Sequence, residues 1–124
     1  MVAKICLDSD VIIDVLRDNK ETISTIKSLE AEFITTSINL FEIWSGRQKG
    51  EVITELISWL DILVFDKKAA LVAGDMRRKL REKGFEIEIR DIFIAAVCIT
   101  NGVTLFTKNK KHFERLKDFG IKLV

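Results

Sequence analysis

Proline is missing altogether, and one histidine and two cysteines are the whole stock of soft metal ligands in 124 residues. Without proline there is no proline-rich spacer, and no other linker, low-complexity tract or internal repeat divides the chain. A zinc site would need clustered partners, and the single histidine, His112, brings none. Cys6 lies in a short apolar run and Cys98 in an apolar helix. Both read as small buried hydrophobes of a reducing compartment. No run approaches the ~18 apolar residues that a membrane span requires. The first apolar run is five residues long and ends in acid, too short and too charged for the core of a signal peptide. The expectation is a cytoplasmic protein with no membrane segment, folded as one domain over residues 1–124.

Apolar residues make up 48% of the chain and charged residues 31%, which reads as globular. The net charge of +1 conceals a division. Residues 1–66 hold 6 Lys/Arg against 12 Asp/Glu, a net of −6, while residues 67–124 hold 14 against 7, a net of +7. An acidic half and a basic half suit a phosphate-bearing polyanion better than a small neutral substrate. Ordinary solvated helix faces explain the basic runs equally well when each run is taken alone.

Short apolar runs alternate with longer stretches of helical period, the pattern of a parallel sheet covered by helices. Strands are expected at Ala3–Leu7, Glu32–Thr35, Leu63–Phe65, Thr104–Phe106 and Ile121–Leu123. Helices are expected over 10–18, 21–31, 37–48, 51–61, 67–83, 91–101 and 109–118. Gly84, Gly102 and Gly120 follow three of these as C-terminal stops.

The first strand runs straight into Asp8-Ser9-Asp10. Two carboxylates so close oppose each other's ionisation, and a hard divalent cation, which prefers carboxylate oxygens, is the usual remedy. In a parallel sheet, ligands bind in a crevice beyond the strands' C-terminal ends. Asp8 and Thr107 end strands, and Asp10 and Asn109 start the helices that follow, so all four are expected at that edge. Glu42 interrupts the mostly apolar stretch Ile38-Asn39-Leu40-Phe41-Glu42-Ile43-Trp44, with Ser37 as its cap and Gly46 one turn later. A glycine inside a helix costs ~1 kcal/mol against alanine, and close approach by another group would account for it. Asp91 opens an almost wholly apolar helix, where N-capping competes with a role in chemistry.

Asp8-Ser9-Asp10-Val11-Ile12-Ile13-Asp14, Glu42 with Gly46, Asp91-Ile92-Phe93-Ile94-Ala95-Ala96, and Leu105-Phe106-Thr107-Lys108-Asn109 with Phe113 follow in that order. The ordered set resembles the PIN-domain pattern, in particular the small VapC-type toxins of toxin–antitoxin pairs, over about residues 4–124. The resemblance implies an α/β PIN-like domain with a five-stranded parallel sheet of order 3-2-1-4-5 and helices on both faces. It implies an endoribonuclease dependent on Mg2+ or Mn2+, held inactive by an antitoxin and usually a homodimer. Its three principal acids fall on Asp8, Glu42 and Asp91, and its assisting hydroxyl on Thr107. Its fourth acid falls on Asn109, which leaves a second metal in doubt, while Asp10 adds a charge in part compensation. The metal set is then Asp8, Glu42 and Asp91, with Asp10 and Asn109 as further candidates. Replacing an acid by its amide is expected to leave the fold intact or more stable, through relief of carboxylate repulsion.

Lys108, Lys110, Lys111, Arg77 and Arg78 are candidates for steering an RNA backbone. Asp14 reads as solvated or salt-bridged and His112 as a surface or packing residue. Phe41, Trp44 and Trp59 are core or partner groove, with Trp59 nearer the core's edge. Three rival readings remain. A HAD-like phosphatase would use Asp8 as nucleophile but leaves Glu42 and Asp91 idle. A receiver-type switch would use Asp66, which comes late in the chain. An inactive interaction module of the same fold would follow from the loss of an acid at Asn109.

Overall fold

Alternate residues of the first strand feed two different cores. A computed structural model describes residues 2–46 and 50–124. The elements are β1 (Ala3–Leu7), α1 (Ser9–Leu16), α2 (Lys20–Ser28), β2 (Ala31–Thr36), α3 (Ser37–Ser45), α4 (Gly50–Trp59) and β3 (Asp61–Leu63). After these come α5 (Lys67–Glu82), α6 (Ile89–Asn101), β4 (Thr104–Phe106), α7 (Lys110–Glu114), a 3-10 turn at Lys117–Phe119 and β5 (Lys122–Leu123). The five strands form one sheet, all pairs parallel, in the order β3-β2-β1-β4-β5.

Parallel neighbours need long crossovers, and helices supply them, so both faces are covered. Successive side chains on a strand point to opposite faces. Ile5 and Leu7 therefore meet Val11, Ile12, Ile43 and Ile53 from α1, α3 and α4. Cys6 points the other way, into the cluster of Ile34, Met76, Leu80, Ile94, Leu105 and Phe113. A hydrogen bond with the neighbouring Cys98 thiol, and then burial, hold the Cys6 thiol protonated, and both cysteines are free and buried. Among the described residues no helix is long and apolar enough to cross a membrane.

Several boundaries differ from the sequence reading. Strand β3 lies two residues earlier than Leu63–Phe65, pairing Asp61, Ile62 and Leu63 with β2. Phe65 is withdrawn from the ladder because its N–H donates to Ser37 Oγ at 3.2 Å and its ring packs on Phe93. That bond also takes Ser37 away from capping; Thr36 caps α3 instead. Helix α6 begins at Ile89, so Asp91 sits in its first turn and is not the cap. The expected helix 109–118 breaks into α7 and the 3-10 turn. Helix α3 stops at Gly46, and residues 47–48 of the expected span lie outside the described residues. Gly46 is an exposed C-cap with φ −96°, and among the described residues an added Cβ would meet only the Glu42 carbonyl at 3.5 Å, so no close approach by them explains it. The three glycine stops hold, with φ of +76° at Gly84, +64° at Gly102 and +103° at Gly120. Trp59 is 80% exposed and Phe41 70%, so neither belongs to a core.

Candidate active site

Asp8 is built into the sheet from both sides. Its N–H donates to the Phe106 carbonyl of β4 at 2.9 Å, and the Thr35 hydroxyl of β2 donates to the Leu7 carbonyl at 2.8 Å. The residue is 1% exposed and caps α1. Its Oδ1 accepts from Ser9 N–H at 2.8 Å, Asn39 Nδ2 at 2.9 Å and Arg90 Nη2 at 2.7 Å. Its Oδ2 accepts from the Thr107 hydroxyl at 2.7 Å. Thr107 in turn accepts the Asn109 N–H at 3.0 Å. Four donors on one carboxylate fix the direction in which it faces.

Glu42 arrives on α3 with Asn39, three residues before it and hence on the same helix face. Thr36 accepts the Asn39 N–H at 3.2 Å and donates to the Asn39 side-chain oxygen at 2.7 Å. Pinned by its oxygen, the fully buried Asn39 must turn its amide nitrogen to Asp8 and to Ser9 Oγ, each at 2.9 Å. The Ser9 hydroxyl then donates to Glu42 Oε1 at 2.7 Å.

One guanidinium draws the three acids together. Arg90 gives Nε to Glu42 Oε2 at 2.5 Å, Nη1 to Asp91 Oδ1 at 2.5 Å and Nη2 to Asp8 Oδ1 at 2.7 Å. Burial works against the Arg90 charge, yet the bond to Glu42 and the charge of Asp8 hold it firmly protonated. Burial pushes the Asp91 carboxyl up, while Arg90 pulls the other way. Asp91 Oδ2 lies 3.6 Å from His112 Nδ1, so this exposed histidine borders the site.

Arg90 is not among the expected residues, and its oddity shows only once α6 is seen to begin at Ile89. A cation in the first turn of a helix opposes the macrodipole, so a neighbouring acid must hold it there. Asn39 was legible as a polar residue on the face that carries Glu42, inside an apolar stretch.

The other expected positions divide. Asp10 accepts the Lys108 N–H on Oδ2 at 3.1 Å, while its Oδ1 is buried without a partner. Burial, then the charge of Asp8, raises the Asp10 carboxyl above its ordinary value. Asn109 is exposed, and its side-chain amide makes no hydrogen bond among the described residues. Asp14 is buried, not solvated; the Thr22 hydroxyl donates to it at 2.6 Å and Lys108 Nζ lies 2.9 Å away. Lys108 is thereby committed to an ion pair. Lys110 and Lys111 line an open hollow with Thr107, Asn109 and His112. Arg77 lines a separate groove with Leu80, Phe85 and Ile89, and Arg78 pairs with Asp75. Neither arginine touches an acid of the site among the described residues. Asp66 caps α5 through the Ala69 N–H at 2.9 Å and follows β3, two strands across the sheet from β1, which disfavours it as the phospho-acceptor of a receiver.

Among the described residues no three Asp, Glu, His or Cys side chains stand ready around a cation, because the guanidinium lies between the acids. The donors nevertheless suit a hard divalent ion. They are carboxylate oxygens, and the orphaned Asp10 Oδ1 lacks the positive partner its burial calls for. The relief of repulsion expected on removing an acid is opposed at Asp8, Glu42 and Asp91 alike, since each amide would forfeit a charge-assisted bond from Arg90.

A family model described as PIN domain matches residues 5–118. Ribonuclease VapC1 of Methanocaldococcus jannaschii is 31% identical over 121 residues, covering 98% of this chain and 87% of that protein. The tRNA(fMet)-specific endonuclease VapC of Salmonella typhimurium is 28% identical, covering 96% of each. The VapBC2 structure from Rickettsia felis, bound to a DNA fragment from its promoter, aligns with a TM-score of 0.83 at 24% identity. It covers 98% of this chain and 97% of that one. With the sheet order and the span of that match in agreement, the chain belongs to the PIN domain family.

Proposed function

We propose that the chain is an endoribonuclease, the toxin of a toxin–antitoxin pair, which hydrolyses RNA phosphodiester bonds with a bound Mg2+ or Mn2+. One observation carries the chemistry: carboxylates from three distant stretches converge on a single cation at the sheet's C-terminal edge. The names of the relatives support the substrate class.

Asp8, Glu42 and Asp91 would hold the ion, with Asp10 the nearest further donor. The metal supplies the acidity of a bound water and offsets charge growing on the phosphoryl oxygens. Asn39 and Thr107 fix which way the Asp8 carboxylate faces. Asp91 Oδ2, which does not hold Arg90, is the proton acceptor best suited to the attacking water, since burial makes this carboxyl more basic than an ordinary aspartate. Lys110 and Lys111 flank the approach and meet the RNA backbone. Residues 1–124 act as the nuclease unit, in the cytoplasm. The exposed Phe41, Trp44 and Trp59 supply apolar surface for an antitoxin or a second copy.

The test is incubation with labelled RNA and Mn2+ or Mg2+, with and without EDTA. Cleavage is expected only with the metal, and Asp8→Asn, Glu42→Gln and Asp91→Asn are each expected to lower the rate at least about 100-fold, more than loss of an outer-shell partner costs. Retained activity in any two of the three would refute the assignment. An inert wild type with either ion would favour the interaction module.

A further inference from the structure

Arg90 makes three ion pairs, more than any other described side chain in the site, and the proposed reaction gives it no role. All three nitrogens of its fork are spent on carboxylates: Glu42 at 2.5 Å, Asp91 at 2.5 Å and Asp8 at 2.7 Å. Its planar fork spreads the donors over three nitrogens, so one cation satisfies three anions from three separate elements with fixed geometry. These are the same three carboxylates that a divalent ion would need. The two cations compete for them, because an Mg2+-sized ion demands its ligands at about 2.0–2.1 Å and two positive charges seated in one cluster repel. Arg90 is also placed to leave. Its side chain is 26% exposed, against 1% for Asp8 and 4% for Asp91, so the guanidinium lies on the solvent side of the two aspartates, level with Glu42 at 30%. Its backbone belongs to the first turn of α6, and the long stem can swing outward without moving the helix.

We propose that Arg90 is a tethered counter-ion that closes the metal-free site and must be expelled by the incoming divalent ion, so that this one side chain sets the protein's apparent metal affinity. The inference rests on the metal-dependent reading above. In the metal-free state the guanidinium holds α3, α6 and the end of β1 together, keeping the acids gathered without mutual repulsion. Loading exchanges one positive charge for two, which also relieves the Asp10 oxygen left without a partner. Apparent affinity falls by the fraction of molecules whose site is open; if Arg90 is seated nine-tenths of the time, only about one molecule in ten can accept the ion.

Calorimetric titration of Mn2+ into metal-free wild type, Arg90→Gln and Arg90→Lys tests this, with melting temperature recorded with and without the ion. Arg90→Gln is expected to bind Mn2+ about tenfold or more tightly than wild type. It should melt lower than wild type without the ion and gain more on its addition. Arg90→Lys should fall between, since an ammonium keeps the charge but its three donors radiate from one nitrogen and cannot match the spread of the guanidinium fork. Methylguanidinium added to Arg90→Gln should weaken Mn2+ binding back toward the wild-type value. Equal or weaker binding in Arg90→Gln, with wild type still binding, overturns the inference and leaves the metal-dependent reading standing. Absence of binding in all three proteins overturns both. Should Arg90→Gln not fold without the ion, Arg90→Lys carries the comparison, and affinity no tighter than wild type decides against the proposal.

Discussion

Asp10 and Asp14 lie one helical turn apart on α1, and their surroundings push them in opposite directions. Asp10 is raised by burial and by the Asp8 charge, whereas Asp14 is lowered by the Thr22 hydroxyl and then by Lys108. The folded pKa of Asp14 therefore lies below its unfolded value of about 3.9. Its contribution to stability is complete above that pH and is lost as pH falls through the folded value. Asp14→Asn should lower Tm at pH 7, and the gap to wild type should close as the pH is taken below about 4. Melts followed by circular dichroism at stepped pH check this; a gap of constant size from pH 7 to pH 3 would refute it. At this scale the sequence revealed the acids and hid their partners. Asp8, Glu42 and Asp91 are visible because carboxylates beside apolar runs are costly and therefore conspicuous. Arg90, 82 residues from Asp8, is an unremarkable charge until the fold brings the two into contact.

Helix α3 owes both its start and the orientation of Asn39 to a single threonine, which accepts from the Asn39 N–H and donates to its side chain. Thr36→Ala should cost about 1 kcal/mol as a lost cap, and it should also slow RNA cleavage, since Asn39 is then free to turn away from Asp8. Thr36→Ser keeps both bonds and should retain stability and rate. Denaturant unfolding and a cleavage assay on the same samples separate the outcomes; an alanine variant as active as wild type would show that Asn39 holds Asp8 unaided. Element boundaries were the least legible part of the fold. The apolar run Leu63-Val64-Phe65 reads as a strand, but the Ser37 hydroxyl claims the Phe65 N–H and ends the ladder early. From the sequence the helix opens at Asp91, where N-capping is an alternative, so Ile89 and Arg90 are left out of it. A cation in a helix's first turn opposes the dipole, and the three carboxylates around Arg90 make that placement favourable. The sheet order, by contrast, follows from the family resemblance, and no local pattern in the chain encodes it.

Across the whole molecule the charge division has a measurable effect. The acids gather at the sheet edge, while Lys110 and Lys111 stand beside it. In an Asp91→Asn background, RNA affinity should fall steeply with salt, and replacing Lys110 or Lys111 with alanine should each lower the log–log slope by about 0.7. Unchanged slopes would assign both lysines to a merely solvated surface. The long-range origin of the site carries a different consequence. Asp8 takes one partner from Phe106 and another from Thr107, so the carboxylate near the start of the chain is fixed only once β4 has zipped alongside β1. A chain still growing on the ribosome, however much of its first hundred residues has emerged, carries acids but no assembled blade. Synthesis itself thus keeps the cutting edge sheathed until translation of that strand is over.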